Sequence, residues 1–223
     1  MKTIIIAVFG LCVALTSYSQ VQFSVFAGPQ YSSANYKVHN VKQNTTGKIG
    51  GQLGMGMKVP FESRLFFTPS IFYSLKGYKV KYSEFAYPPD PSAQDNNTTF
   101  HTVEVAAMLQ YDFSNHPNHF FFGAGPSLDF QVFGKEEFTT PNETVNRNIP
   151  FGYDKYGHYA ANALFRFGYE MESGLFIFGQ YTYGLASINN ADYGPDIRHQ
   201  VVGITIGKFF GGNKVVMDTR NRE

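Results

Sequence analysis

Ser127, Asp129 and His158 are the residue types of a hydrolytic constellation: a hydroxyl nucleophile, a carboxylate and an imidazole base. Such chemistry needs the base between nucleophile and acid, in hydrogen-bond reach of both. Ser127 and Asp129 are two residues apart, so on a strand they share one face. That face is polar along its length, and the three read as satisfied interior residues with no catalytic role. His116-Pro117-Asn118-His119 offers a pair of imidazoles at a spacing that can ligate metal. With no carboxylate or cysteine beside it the segment reads as a turn, and neither metal nor cofactor is assigned. Gly123-Ala124-Gly125 lies within a strand pattern with no helix after it, so it is not a phosphate loop. The Asn-x-Thr triplets at 44, 97 and 142 reflect polar loop composition.

The elements that carry these residues alternate with period two, the signal of a strand with two different faces. Eight such stretches recur, at 21–31, 48–59, 65–79, 100–113, 120–132, 158–170, 175–186 and 200–210. In the second, Ile49, Leu53, Met55, Met57 and Val59 share one face, and Lys48, Gly50, Gln52, Gly54, Gly56 and Lys58 the other. In the fourth, Val103, Val105, Ala107, Leu109, Tyr111 and Phe113 oppose Thr102, Glu104, Gln110 and Asp112. The polar faces are rich in Gly, Ser, Gln and isolated charges, and the apolar faces in aromatics. A soluble barrel places its apolar face inside. Here a charge-bearing face must be enclosed, which predicts a lumen lined by polar residues and an apolar wall against lipid. Each stretch is about 10 residues or longer, enough to cross a bilayer when tilted. The expected fold is therefore all-β: an eight-stranded antiparallel transmembrane β-barrel in an up-and-down meander.

Connection lengths agree. Short turns are expected at 60–64, 114–118 and 171–174, and long external loops at 32–47, 80–99, 134–155 and 187–197. Short periplasmic turns alternating with long external loops are the habit of such barrels. Met1-Lys2-Thr3, the apolar run 4–15 and Thr16-Ser17-Tyr18-Ser19 form a secretory signal, with cleavage expected after Ser19. The expected organisation is thus signal peptide 1–19, barrel 20–210 and a polar periplasmic tail 211–223, in the cell outer membrane. Cys12, the only cysteine, lies in the signal, so disulfides and thiol catalysis are excluded. A net charge of +1 gives no basis for a nucleic-acid partner. Aromatics make up 17% of the chain, from 23 Phe and 15 Tyr without Trp, and those at strand ends suit an interfacial girdle.

The enclosed charges can be placed by register. Pairing across 60–64 sets Lys48 level with Lys76, and pairing across 114–118 sets Glu104 level with Asp129. A narrow lumen would not tolerate two like-charged pairs side by side. One mixed cluster of Lys48, Lys76, Glu104 and Asp129 is expected to plug the barrel. Arg166 is expected lower, near Gln180, in a second polar layer with Glu170.

Several segments resemble the PorT-like outer-membrane β-barrel family of Bacteroidota. They are Thr68-Pro69-Ser70-Ile71 with Tyr73-Ser74-Leu75-Lys76-Gly77, Val103-Glu104-Val105 with Leu109-Gln110-Tyr111, Gly123-Ala124-Gly125-Pro126, and Tyr183-Gly184-Leu185-Ala186-Ser187-Ile188-Asn189. Ala106 stands where that family usually has Pro. The resemblance implies an eight-stranded outer-membrane barrel and no enzyme. The expected function is a structural or surface-interaction role through the long loops. The alternatives are a narrow solute channel and, in a third class, a lipid-acting barrel hydrolase. Expected partners are outer-membrane lipid, the barrel-assembly machinery and an extracellular ligand of the loops.

Overall fold

A computed structural model describes residues 21–211; the expected signal peptide and nearly all of the polar tail lie outside the described residues. The strands run β1 (Gln22–Val38), β2 (Val41–Lys42), β3 (Asn44–Glu62), β4 (Leu65–Phe67), β5 (Ser70–Lys81), β6 (Asp95–Ala106), β7 (Leu109–Asp112), β8 (His119–Thr139), β9 (Thr144–Asn148), β10 (Tyr159–Glu170), β11 (Leu175–Gly184) and β12 (Asp196–Phe210). Antiparallel pairing proceeds from neighbour to neighbour, and β12 returns to pair with β1 from Phe23↔Phe210 to Lys37↔Asp196. Among the described residues, closure leaves the ring itself without an unpaired edge, which a strand in lipid could not tolerate.

Eight lines of strand make the ring, because β4 and β5 form one line and β6 and β7 another. The β4–β5 line is interrupted at Thr68-Pro69, where proline has no N–H to give the ladder. The Pro69 carbonyl still accepts from Met57 N at 2.9 Å, and the register continues through the gap. β2 and β9 are short additions that fold back on β1 and β8 at the long-loop end.

Strand shortens three of the expected long loops. β1 and β3 run on to Val38 and from Asn44, so residues 39–43 turn the chain with His39 and Asn40 at positive φ. Residues 80–99 reduce to a loop at 82–94. Within 134–155, β8 extends to Thr139 and hairpins into β9.

The physical reason is a change of phase along each strand. Near the short turns, Phe23, Val25, Ala27 and Tyr31 of β1 face out, and Ser24, Gln30 and Ser32 face in. Beyond Ser32 the assignment reverses: Ala34, Tyr36 and Val38 are buried while Ser33, Asn35 and Lys37 face out. β5 does the same, with Tyr78 and Val80 inside and Lys79 and Lys81 outside. In β8, Phe138 is inside, with Lys135 and Glu137 outside. The barrel thus has a lipid-facing half and, above it, a collar with the inside-out pattern of a soluble barrel. The collar core unites Tyr36, Tyr78, Phe100 and Ile197 with Ala86, Ile149, Tyr156 and Ile188 from the loops, which close over the mouth.

The lumen of the lipid-facing half is not wholly polar either. Phe26, Phe72, Phe121, Phe176, Phe178, Met108 and Leu164 fill its lower part. Inward glycines make the room: a Cβ on Gly54 would collide with the Phe72 side chain and the Ile71 carbonyl.

Candidate functional site: charged layers inside the barrel

Two ionic clusters are buried in the lumen, with an aromatic layer between. In the upper one, nearer the collar, Lys76 of β5 reaches two strands. Its Nζ donates to Glu104 Oε2 at 2.7 Å and to Asp129 Oδ1 and Oδ2 at 2.8 and 2.9 Å. Glu104 and Asp129 are direct cross-strand partners of β6 and β8, and Ser127 Oγ donates to Glu104 Oε1 at 2.6 Å. All three charged side chains are fully buried. One lysine between two carboxylates relieves a repulsion that neither carboxylate could bear alone in a low-dielectric interior.

Lys48 is not in this cluster. β3 carries one extra residue between Gly47 and Gln52 relative to β5, a bulge that changes which face the chain presents. The Lys48 ammonium donates to Asn97 Oδ1, the Thr98 carbonyl and Thr99 Oγ1 at 2.8, 3.0 and 2.6 Å. Asn97 and Thr99 alternate with buried Asn96, Thr98 and Phe100, so this contact lies on the outer side of the sheet.

Arg166 of β10 is in the lumen, and its Nε donates to Gln180 Oε1 at 2.9 Å. It makes no layer with Glu170. Its guanidinium lies 5.3, 5.6 and 4.7 Å from the ring centroids of Phe26, Phe72 and Phe178. Aromatic faces attract a cation, and most strongly where water is excluded. A cavity of about 30 Å³ lies beside this group, room for about one water.

Glu170 belongs to the second cluster, at the short-turn end. Lys58 Nζ donates to Asp112 Oδ2 at 2.6 Å and to both Glu170 oxygens at 2.8 Å. Gln110 Nε2 donates to Asp112 Oδ1 at 2.8 Å and to Glu170 Oε1 at 2.7 Å. His119 Nε2 stands 2.9 Å from Asp112 Oδ2 and 3.4 Å from Glu170 Oε2. Phe66 covers the lysine, 4.3 Å from its Nζ.

The hydrolytic residue types are dispersed. Ser127 and Asp129 are occupied by Glu104 and Lys76, whereas His158 is exposed rather than lumenal. His158 lies within 3.2 Å of the Gln131 carbonyl and 4.9 Å from the Phe151 ring. His158 precedes β10, outside the strand expected to carry it into the lumen.

The profile of the outer membrane protein beta-barrel domain matches residues 15–190. The chain belongs to that family. It is accordingly an outer-membrane barrel, and in such barrels the short turns are periplasmic. No curated protein matches the chain. Among solved structures it is similar to Ail, the attachment invasion locus protein of Yersinia pestis, crystallised with the heparin analogue sucrose octasulfate. That likeness is at 13% identity, over 86% of this chain and 99% of that one, with a TM-score of 0.45. Neisserial surface protein A is similar at 14% identity, covering 84% and 97%, with a TM-score of 0.44. OprG of Pseudomonas aeruginosa is similar at 13% identity, covering 86% and 97%, with a TM-score of 0.42.

Within this outer-membrane barrel the periplasmic-end cluster was missed by sequence reasoning, although a signal was present. Lys58, Asp112 and Glu170 each stand on the polar face within two residues of a short turn. In a meander, positions equally close to turns at one end lie at one level of the lumen. The carboxylates that His119 lacks in sequence arrive from β7 and β10.

Proposed function

We propose that this barrel is a non-enzymatic surface protein that is closed along its axis and offers its external loops to an extracellular ligand. One observation carries the reading: apolar side chains stand fully exposed on loops that an ordered collar holds in place. Phe85 is 80% exposed, Tyr153 87% and Tyr193 98%. They sit on three loops, at 82–94, 149–158 and 185–195, anchored by Ala86, Tyr156 and Ile188 in the collar core. Exposed aromatics on a rigid support give large contact area at low entropic cost, which is how binding surfaces use them.

The filled lumen supports the closed axis. Loops cover the mouth, Lys76 and its carboxylates span the next level, phenylalanines and Arg166 the level below, and Lys58 with its partners the periplasmic end. Eight strands leave an interior that side chains can fill. The finer resemblance to PorT-like barrels supports placing the chain near those members, in a Gram-negative envelope. The secretory segment and the assembly machinery belong to the same proposal, as does outer-membrane lipid against the apolar wall.

The test has two arms. In planar bilayers the purified barrel is expected to show no ion conductance. On whole cells, replacing Phe85, Tyr153 and Tyr193 together by Ser is expected to abolish capture of extracellular material while surface display is unchanged. Steady conductance by the wild type, or unchanged capture by the triple variant, overturns the reading.

A further inference from the structure

We propose that Asp112, His119 and Glu170 form a site at the periplasmic end for one divalent transition-metal cation that accepts nitrogen and oxygen ligands. Three atoms converge: His119 Nε2, Asp112 Oδ2 and Glu170 Oε2, with Nε2 at 2.9 and 3.4 Å from the two oxygens. All the candidate ligand atoms lie within 4.8 Å of one another. The side chains are 5–10% exposed, so this is a built site rather than a surface acidic patch.

The independent sign of a ligand is the histidine. Its Nδ1 lies 2.8 Å from the His116 carbonyl, which can only accept, so Nδ1 carries the proton. Nε2 is thereby left to face the carboxylates, 2.9 Å from Asp112 Oδ2 and 3.4 Å from Glu170 Oε2. Two carboxylate oxygens against that nitrogen call for a positive charge between them, either a proton on Nε2 or a metal cation that displaces it.

The outer partners match. A metal-ligating histidine almost always donates its other N–H to a carbonyl, carboxylate or water, and ligating carboxylates are themselves hydrogen-bonded. Here Gln110 Nε2 bonds the two oxygens that face away, Asp112 Oδ1 and Glu170 Oε1. Lys58 supplies one positive charge to the two carboxylates, and the second comes from the His119 proton or from the metal that displaces it. Zinc–ligand distances of roughly 2.0–2.2 Å place tetrahedral ligand atoms ~3.3 Å apart. The Glu170 separation already fits, and the Asp112 pair must open by a few tenths of an ångström. Lys58 shares Asp112 Oδ2 with the metal, and on binding keeps Glu170 Oε1 and the Phe66 ring. One nitrogen and two oxygens suit zinc and its transition-metal neighbours better than Ca²⁺ or Mg²⁺, which take six or more oxygens.

The test titrates Zn²⁺ into the full chain, purified in detergent and stripped with chelator, and uses Co²⁺ for its visible absorption. Heat-dependent mobility in SDS verifies that each variant is folded. Expected are one zinc per barrel and loss of binding in His119→Gln. Binding should persist in His116→Gln, because only the His116 backbone carbonyl takes part. Gln110→Ala is expected to weaken binding roughly 10–100-fold, the usual size of an outer-partner effect. Lys58→Met is expected to tighten it by removing the competitor. A folded wild-type barrel that binds no zinc at neutral pH overturns the proposal, since a proton on Nε2 then suffices. So does binding that is lost in His116→Gln but kept in Asp112→Asn, which marks adventitious chelation by the turn histidines. Neither outcome bears on the loop-binding function.

Discussion

The lipid-facing half and the collar are made from the same strands, yet they solve opposite solvation problems. In the lower half the outside is hydrocarbon, so Val25, Ile71, Val105, Phe165 and Ile204 face out and polar or charged groups are enclosed. In the collar the outside is water, so Ser33, Asn35, Lys79 and Glu137 face out, while Tyr36, Tyr78, Phe100 and Phe138 pack together. The lesson is that alternation specifies a strand, whereas its phase reports the medium outside it. The lower half holds its interior together with charged clusters around a layer of phenylalanines, the collar mainly with apolar contact.

The comparison breaks most visibly at Lys76. Lys76→Met leaves Glu104 and Asp129 facing each other with no cation between them. A loss of about 3–5 kcal/mol is expected, read as a lower urea midpoint for the gel-mobility shift. A change under 1 kcal/mol would mean that charge does not hold the lower half. Asp129→Asn in the same background should recover part of the loss, because it removes one of the two stranded charges.

The collar's counterpart is Phe100, fully buried against Tyr78, Tyr156 and His199. Phe100→Ala is expected to cost about 3 kcal/mol through lost burial and the cavity left behind. Phe165→Ala, on the lipid face, should cost far less. Equal effects at the two sites would contradict the assignment of Phe100 to an interior.

A smaller contrast tests the phase itself. Ile204→Lys puts a charge on the lipid-facing wall and is expected to cost about 2 kcal/mol, with less folded barrel recovered from the membrane. Asn35→Lys, on the outer face of the collar, should be neutral within about 0.5 kcal/mol. If both lysines are tolerated equally, the boundary between lipid and water lies elsewhere on β1 and β12.

The smallest effect at ordinary pH concerns the collar tyrosines. Burial first, and then nearby Tyr78 and Glu136, push the Tyr156 phenol well above its usual range; burial also raises Tyr82, outside the strands. An acid whose folded value is raised binds its proton more tightly when folded. Its contribution to stability is therefore complete below about pH 10, the unfolded value, and is lost as pH rises beyond it. Absorbance of tyrosinate should show these phenols ionising only as the collar opens, after exposed Tyr153 and Tyr193. Ionisation of all tyrosines together near pH 10, with the collar intact, would contradict their burial.

The sequence by itself determined the barrel. Eight alternating stretches, the short turns and the enclosed polar faces are local properties, set by period-two geometry and by what lipid excludes. It also placed Glu104 opposite Asp129, because a short turn transmits register reliably. Only the tertiary structure decided the remainder. The phase reversal at Ser32–Ser33 made a long loop out of what is strand, since a pattern that switches faces loses its period on paper. The bulge after Gly47 carried Lys48 to the outer side, because one inserted residue exchanges inside for outside. His119 met Asp112 and Glu170 only once three strands had closed around Lys58, since residues 51 positions apart become neighbours through pairing and not through any local signal.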